Sequence, residues 1–225
     1  MTASRLRLVI AAVLTAAVVL VVGVAIGRLS SPTAVVPGTD SVEAGFSRDM
    51  QVHHEQAVEM SMLVRDRTDD PEVRTMAYDI ATAQAQQAGQ MFAWLQVWGV
   101  PQAPSEPTMT WMTRPTLDGD FAGHEHGATG EPSGGASTAP AHVPGDPMPG
   151  LASADDLRRL GQLDGVEAER LWLRLMIAHH RGGVEMAEAV EARTRDREVL
   201  ALAAGMITTQ DSEIAAMEDM LAERS

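Results

Sequence analysis

The chain has no cysteine and no lysine, and its 225 residues include only one tyrosine and three phenylalanines. Without Cys there can be no disulfide, no thiolate metal site and no cysteine nucleophile. Aromatic content of 4% disfavours a β-sandwich and suits helices packed through Ala, Leu and Met. No Ser-His-Asp motif is recognisable either. Every one of the 17 basic residues is Arg, a matter of composition rather than mechanism, and they are outnumbered by 31 Asp and Glu, for a formal charge of −14. Arg5, Arg7 and Arg28 are the only charged residues among the first 30, so the remainder is more negative still. Such a surface repels nucleic acid and anionic lipid and attracts cations in general.

The hydrophobic content of 45% supports one compact domain with accessories. The first accessory is an apolar run from Leu8 to Ile26, interrupted only by Thr15 and Gly23 and preceded by Arg5 and Arg7. It is long enough for a hydrocarbon core of roughly 30 Å and longer than the apolar stretch of a usual signal peptide, about 7–15 residues. Residues 1–30 are therefore read as an N-terminal signal anchor, a transmembrane helix with its N-terminus inside. Residues 31–40 form a tether, and the bulk of the chain lies outside the cytoplasm on a bacterial cell membrane. Secretion after signal cleavage is the alternative.

The rest of the chain is built on a duplication. Met50-Gln-Val-His53-His54-Glu-Gln-Ala-Val-Glu-Met60 recurs, 126 residues later, as Met176-Ile-Ala-His179-His180-Arg-Gly-Gly-Val-Glu-Met186. At the same offset Glu43 matches Glu169, Phe46 matches Trp172, and Arg67-Thr68 matches Arg193-Thr194. Asp70, Gln84, Met91 and Leu95 match Asp196, Gln210, Met217 and Leu221. No gap is needed over roughly fifty residues, which marks a duplicated structural unit.

Each unit reads as a helical hairpin. Phe46, Met50, His53, Ala57, Met60 and Val64 recur at spacings of three and four. Asp70 and Pro71 then stop the first helix and cap the second. A second stripe runs through Val73, Met76, Ile80, Gln84, Gln87, Met91, Trp94 and Leu95, and Gly99 and Pro101 end it. Two hairpins, spanning 41–98 and 153–223, give an all-α four-helix bundle. Residues 99–152 are a Pro/Gly-rich crossover read as flexible, long enough to let the second and third helices run parallel. Ser153-Ala-Asp-Asp156 opens a short lead-in helix with a capping box.

On a helix, Met50 shares a face with His53 and His54, and Met176 with His179 and His180. Met60 and Met186 lie two turns further along, and Met91 and Met217 on the partner helices are secondary candidates, with Gln84 and Gln210 near them. Imidazole with thioether suits Cu(I), and by analogy Ag(I), whereas Mg²⁺ and Ca²⁺ take oxygen ligands. A buried polar network of the same His residues, and Met as ordinary core filler, are the bland readings. Glu59 and Glu185 lie off the His stripe and read as solvated or capping. Asp49, four residues before His53, is placed to orient its ring, but Leu175 takes its place in the second unit. His124, His126 and His142, with Met109, Met112 and Met148, form a second group in the crossover, either a loose metal trap or incidental residues of a solvated linker.

The doubled Met-x-x-His-His-x-x-x-Val-x-Met pattern, with Met148-Pro-Gly-Leu and a Gly165-led approach to the second copy, resembles the DUF 305 family over about residues 41–223. The resemblance implies a ferritin-like four-helix bundle in a secreted or membrane-anchored bacterial protein. Some members are implicated in extracytoplasmic copper binding and copper resistance. It points to His53, His54, His179 and His180, with Met50, Met60, Met176 and Met186, as metal residues. The chain departs from the family in having Glu43 and Glu169 where Asp is usual, Ala168 beside the second acid, and Gln56-Ala57 where the second copy keeps Gly182-Gly183.

Three functions follow as expectations. The first is extracytoplasmic Cu(I) or Ag(I) handling as a buffer, chaperone or resistance factor, with a copper-handling protein as partner and no nucleic acid. The second is a metal-free helical scaffold or interaction module. The third is a di-iron ferritin-like oxidase, disfavoured because no Glu-x-x-His occurs in the four helices. No catalytic residue is assigned.

Overall fold

The computed structural model describes residues 3–30, 36–119 and 142–224, which divide into two units, Met1–Val36 and Pro37–Ser225. In the first, helix α1 (Ala3–Ser30) contains an 18-residue window, Ile10–Gly27, long and apolar enough to cross a membrane. Val13, Leu14, Val18, Val19 and Leu20 are all more than half exposed within this unit. A helix apolar on all sides has no stable place in water.

The second unit is all-helical among the described residues: α2 (Val42–Arg65), α3 (Pro71–Val97), α4 (Ala154–Leu160), α5 (Gly165–Glu191) and α6 (Arg197–Glu223). The helix starts follow from local chemistry. Asp70 accepts the Glu72 and Val73 amides at the head of α3, and Asp196 accepts those of Glu198 and Val199 at the head of α6. Ser153 and Asp156 form the reciprocal capping box of α4. α2 packs on α3, α5 packs on α6, and the two hairpins join through α2 and α5.

α2 and α5 run antiparallel, and reciprocal side-chain clasps fix their ends. The Thr68 hydroxyl, just past α2, donates to Glu169 near the start of α5 at 2.5 Å. The Thr194 hydroxyl, just past α5, donates to Glu43 near the start of α2 at 2.5 Å. The longer acids at these positions thus reach across to the opposite repeat. Arg224 reinforces one clasp alone, donating to both Glu169 and Asp70. The core forms two apolar clusters, one holding Met60, Trp172, Met176 and Met217, the other Phe46, Met50, Met91 and Met186.

The crossover expected to be flexible over 99–152 is described at its two ends, 99–119 and 142–152, and its middle lies outside the described residues. Both of its described ends are packed. Met109, Trp111, Met112 and Met148 are buried in the second cluster, and Trp111 meets Phe46 edge-on at 5.6 Å. Buried Asp49 accepts the Met109 amide and the Trp111 indole N–H, so it anchors the crossover and does not orient His53. That hold keeps Met109 at φ 65°, a region that costs a non-glycine residue about 1–2 kcal/mol. Arg48 donates to the Pro101 carbonyl, and Arg193 to the carbonyls of Arg114 and Met112.

The later crossover segment straps over α5. Gly150 has φ +73° and lies against the Ala178 carbonyl; Gly182 lies under the Pro149 carbonyl, where a Cβ would come within 2.0 Å. Gln56, which stands in α2 where α5 has Gly182, binds the Ala152 backbone at both its amide and its carbonyl. The departure of the first copy from Gly-Gly therefore has a structural role: one repeat admits the strap and the other ties it down. Gly182→Ala is expected to lose about 1–3 kcal/mol by overpacking, measured by chemical unfolding followed by helical circular dichroism. Gly205→Ala on exposed α6, with nothing within 4 Å of its Cβ, is expected to gain about 0.5–1 kcal/mol.

Candidate metal centre

The antiparallel crossing of α2 and α5 brings the two His pairs together. The rings of His53 and His179 lie 3.8 Å apart between centroids, tilted by 33°. His54 and His180 flank them, at 6.4 Å from His53 and 6.2 Å from His179 respectively. All four are fully buried.

Each ring uses Nε2 in the same way. His53 Nε2–H donates to the Pro149 carbonyl at 3.0 Å and His179 Nε2–H to the His53 carbonyl at 2.9 Å. His54 Nε2–H donates to Gln87 Oε1 at 2.9 Å and His180 Nε2–H to Glu213 at 2.8 Å. Oxygen acceptors at Nε2 fix that nitrogen as the protonated one, so Nδ1 carries the lone pair. The Nδ1 atoms of all four are buried and without a hydrogen-bond partner. A buried polar group left unpaired costs about 1–3 kcal/mol. Four in one layer approach a whole domain's stability of roughly 5–15 kcal/mol. Such a layer calls for a ligand. An imidazole whose other N–H is held by a carbonyl or carboxylate is also the usual form of a metal-bound His.

Burial keeps three of the imidazoles, His53, His54 and His179, in their uncharged form. Burial lowers the His53 pKa to about 4, against the Pro149 carbonyl, which favours the charged form. Burial, with the charge of His53 adding, lowers His54 to about 3. Burial and the neighbouring imidazoles hold His179 well below its ordinary range. Neutral imidazoles offer lone pairs without a proton to displace.

The candidate thioethers are divided by this layer. Met50, Met91 and Met186 lie in one apolar cluster, Met60, Met176 and Met217 in the other, all fully buried. Each cluster thus holds sulfur from both repeats. Among the described residues no three His, Asp or Glu side chains converge as a ready ligand set. Gln84 has both amide atoms buried without partners, as has Gln210 its Oε1, which packs at the position of a Gly183 Cβ.

The second candidate group does not assemble among the described residues. Met109, Met112 and Met148 are core, His142 pairs with Glu185 at 2.7 Å, and His124 and His126 lie outside the described residues. Glu185, half-exposed, thereby contacts His142 as well as solvent.

Three contributors escaped the sequence reading: Pro149, Gln87 and Glu213. Gln87 and Glu213 obey the 126-residue register, each 33 residues after its His, but they differ in type. A comparison of positions rather than identities would have found them.

A family model described as a domain of unknown function, DUF305, matches residues 43–221. The chain is similar to the crystal structure of a DUF305 protein from Streptomyces coelicolor, with 45% identity, TM-score 0.67, and coverage of 83% of this chain and 96% of that one. It is similar to a DUF305 fragment from Deinococcus radiodurans, with 32% identity, TM-score 0.58, and coverage of 83% and 99%. CopM in its Cu(I)-bound form shares the fold at 21% identity, TM-score 0.54, and coverage of 81% and 96%; CopM is also solved with Cu(II) and with Ag. No curated protein matches the chain.

The lowered pKa values set a pH window. Unfolded imidazoles titrate near their ordinary 6.5, whereas folded His53 and His54 titrate near 4 and 3, so the native state binds fewer protons between these values. Their contribution to stability is present above pH 6.5 and is lost as pH falls towards 4. Metal-free protein is expected to show this loss in denaturation midpoints across pH 7 to 4, with a flatter profile when His53 and His54 are changed to Gln.

Proposed function

The chain belongs to the DUF305 family, and we propose that it is an extracytoplasmic metal-binding protein that holds a soft cation, Cu(I) or Ag(I), at the four-His layer. One observation carries this reading: four buried imidazoles meet, each with Nε2–H committed to an oxygen and Nδ1 left as an unpartnered lone pair. His53, His54, His179 and His180 would hold the ion through Nδ1. Met50, Met186 and Met91 on one side, and Met60, Met176 and Met217 on the other, would supply thioether.

The donor set favours soft ions. Structural Zn²⁺ is bound by Cys, His and carboxylate, whereas the side chains packed on either side of this layer carry thioether sulfur. Cu(I) and Ag(I) accept fewer ligands and bind thioether. CopM, which shares the fold, is known in Cu- and Ag-bound forms, and that supports the choice of metal.

Residues 1–30 would act as a signal anchor, or as a signal sequence if cleaved, with residues 31–40 as tether and the bundle outside the cytoplasm. There the cation is buffered, passed to a copper-handling partner or kept from doing harm. No enzymatic step is assigned.

Competitive Cu(I) titration of the full chain in detergent is expected to show tight binding. That binding should be lost when His53, His54, His179 and His180 are all changed to Ala in a variant that keeps its helical circular dichroism. Met176→Leu is expected to weaken Cu(I) while leaving Zn²⁺ binding unchanged. Absence of tight Cu(I) binding in the parent would make the layer a buried polar network and the bundle a metal-free scaffold, whereas equal tight binding in the four-Ala variant would put the metal at other residues and leave the layer a buried polar network.

A further inference from the structure

The four-His layer is geometrically two-fold but chemically lopsided. His54 and His180 occupy equivalent positions, and so do their partners Gln87 and Glu213 on α3 and α6. The two hydrogen bonds are alike in length, 2.9 and 2.8 Å. One acceptor is a neutral amide and the other a carboxylate. The remaining two imidazoles donate to backbone carbonyls. Among the described residues, Glu213 is therefore the single carboxylate bonded to the layer.

Among the described residues no Arg pairs with it. Arg181, adjacent to His180 in sequence, pairs with Glu218, and among the described residues the contact of Glu213 is its hydrogen bond from His180. The Glu213 side chain is only 18% exposed and the His180 side chain not at all, so solvent screens this charge poorly.

We propose that Glu213 is a specificity-determining residue that matches the layer to a monovalent cation. The proposal rests on the reading of the layer as a metal site. One carboxylate balances one positive charge. A divalent ion would leave a buried positive charge uncompensated, and such charges are strongly disfavoured in a protein interior. Glu213 also raises the donor strength of His180 through the Nε2–H it accepts. His180 becomes the strongest donor of the four, and the cation is held towards the second repeat.

The duplication supplies the controls, because each half already accommodates the other's residue at the equivalent position. Ag⁺, which needs no reductant, and Zn²⁺ serve as probes, titrated into the full chain in detergent, with helical circular dichroism recorded for every variant. Glu213→Gln is expected to weaken Ag⁺ by about tenfold or more. Gln87→Glu, which adds a second carboxylate, is expected to strengthen Zn²⁺ by about tenfold or more relative to Ag⁺. His180→Ala is expected to weaken Ag⁺ at least as much as Glu213→Gln. Unchanged Ag⁺ affinity in Glu213→Gln, with loss in His180→Ala, overturns the role of Glu213 and leaves the metal site standing. No Zn²⁺ gain in a folded Gln87→Glu overturns the charge-matching step independently. Full Ag⁺ affinity in both Glu213→Gln and His180→Ala removes His180 from the site and overturns this proposal, and the variant with all four His changed to Ala then decides whether the metal site itself stands.

Discussion

The two hairpins depend on one contact, the meeting of His53 and His179 at the crossing of α2 and α5. There the ring of one helix lies against the ring of the other, and the His179 Nε2–H closes on the His53 carbonyl. A carbonyl in mid-helix already accepts from its own chain, so this is a second bond on its remaining lone pair. It brings an α5 side chain against the α2 backbone. Everything else in the bundle sits symmetrically around that point: an apolar cluster on each side, then a Thr–Glu clasp at each end. A purely apolar crossing would bury the same surface, but it would not leave four lone pairs at its centre.

The crossover breaks the symmetry, and the sequence around it adapts residue by residue. His53 finds its acceptor in Pro149, a strap residue. Gly182 and Gly150 let the strap backbone approach α5, and Gln56 fastens it to α2. The strap therefore supplies the Nε2–H acceptor of His53 and lies against α5 beside the layer. At the other end of the crossover, Asp49 provides a buried acceptor for Met109 and Trp111, while burial raises its own pKa. This acid, four residues before His53 in sequence, anchors the crossover and makes no bond to the His layer.

Much of this was legible beforehand, and the boundary is physical. A gapless duplication with apolar residues at helical spacing and capping aspartates at 70 and 196 specifies two hairpins. Two hairpins with one apolar face each specify a bundle. The four histidines were legible as a group because they lie on those faces at equivalent positions. The division of the methionines was not. Spacing along one helix ranks Met50 and Met60 as neighbours of the same His, whereas an antiparallel crossing pairs Met50 with Met186 and Met60 with Met176. The packed ends of the crossover were hidden for a different reason. Trp111, Met109 and Met148 have no periodic context and are buried through single long-range bonds and backbone fits, which composition does not encode.

The reciprocal clasps, Glu43 with Thr194 and Glu169 with Thr68, have the form of an isologous interface, in which each contact appears twice with the partners exchanged. A homodimer of single hairpins would show the same pattern, and in it every substitution would be made on both sides at once. Joining the halves in one chain removes that constraint. Arg224 can brace one clasp alone, and a Gln in one half can stand opposite a Glu in the other. Covalent fusion thus turns a symmetric assembly into one whose two halves can be tuned separately.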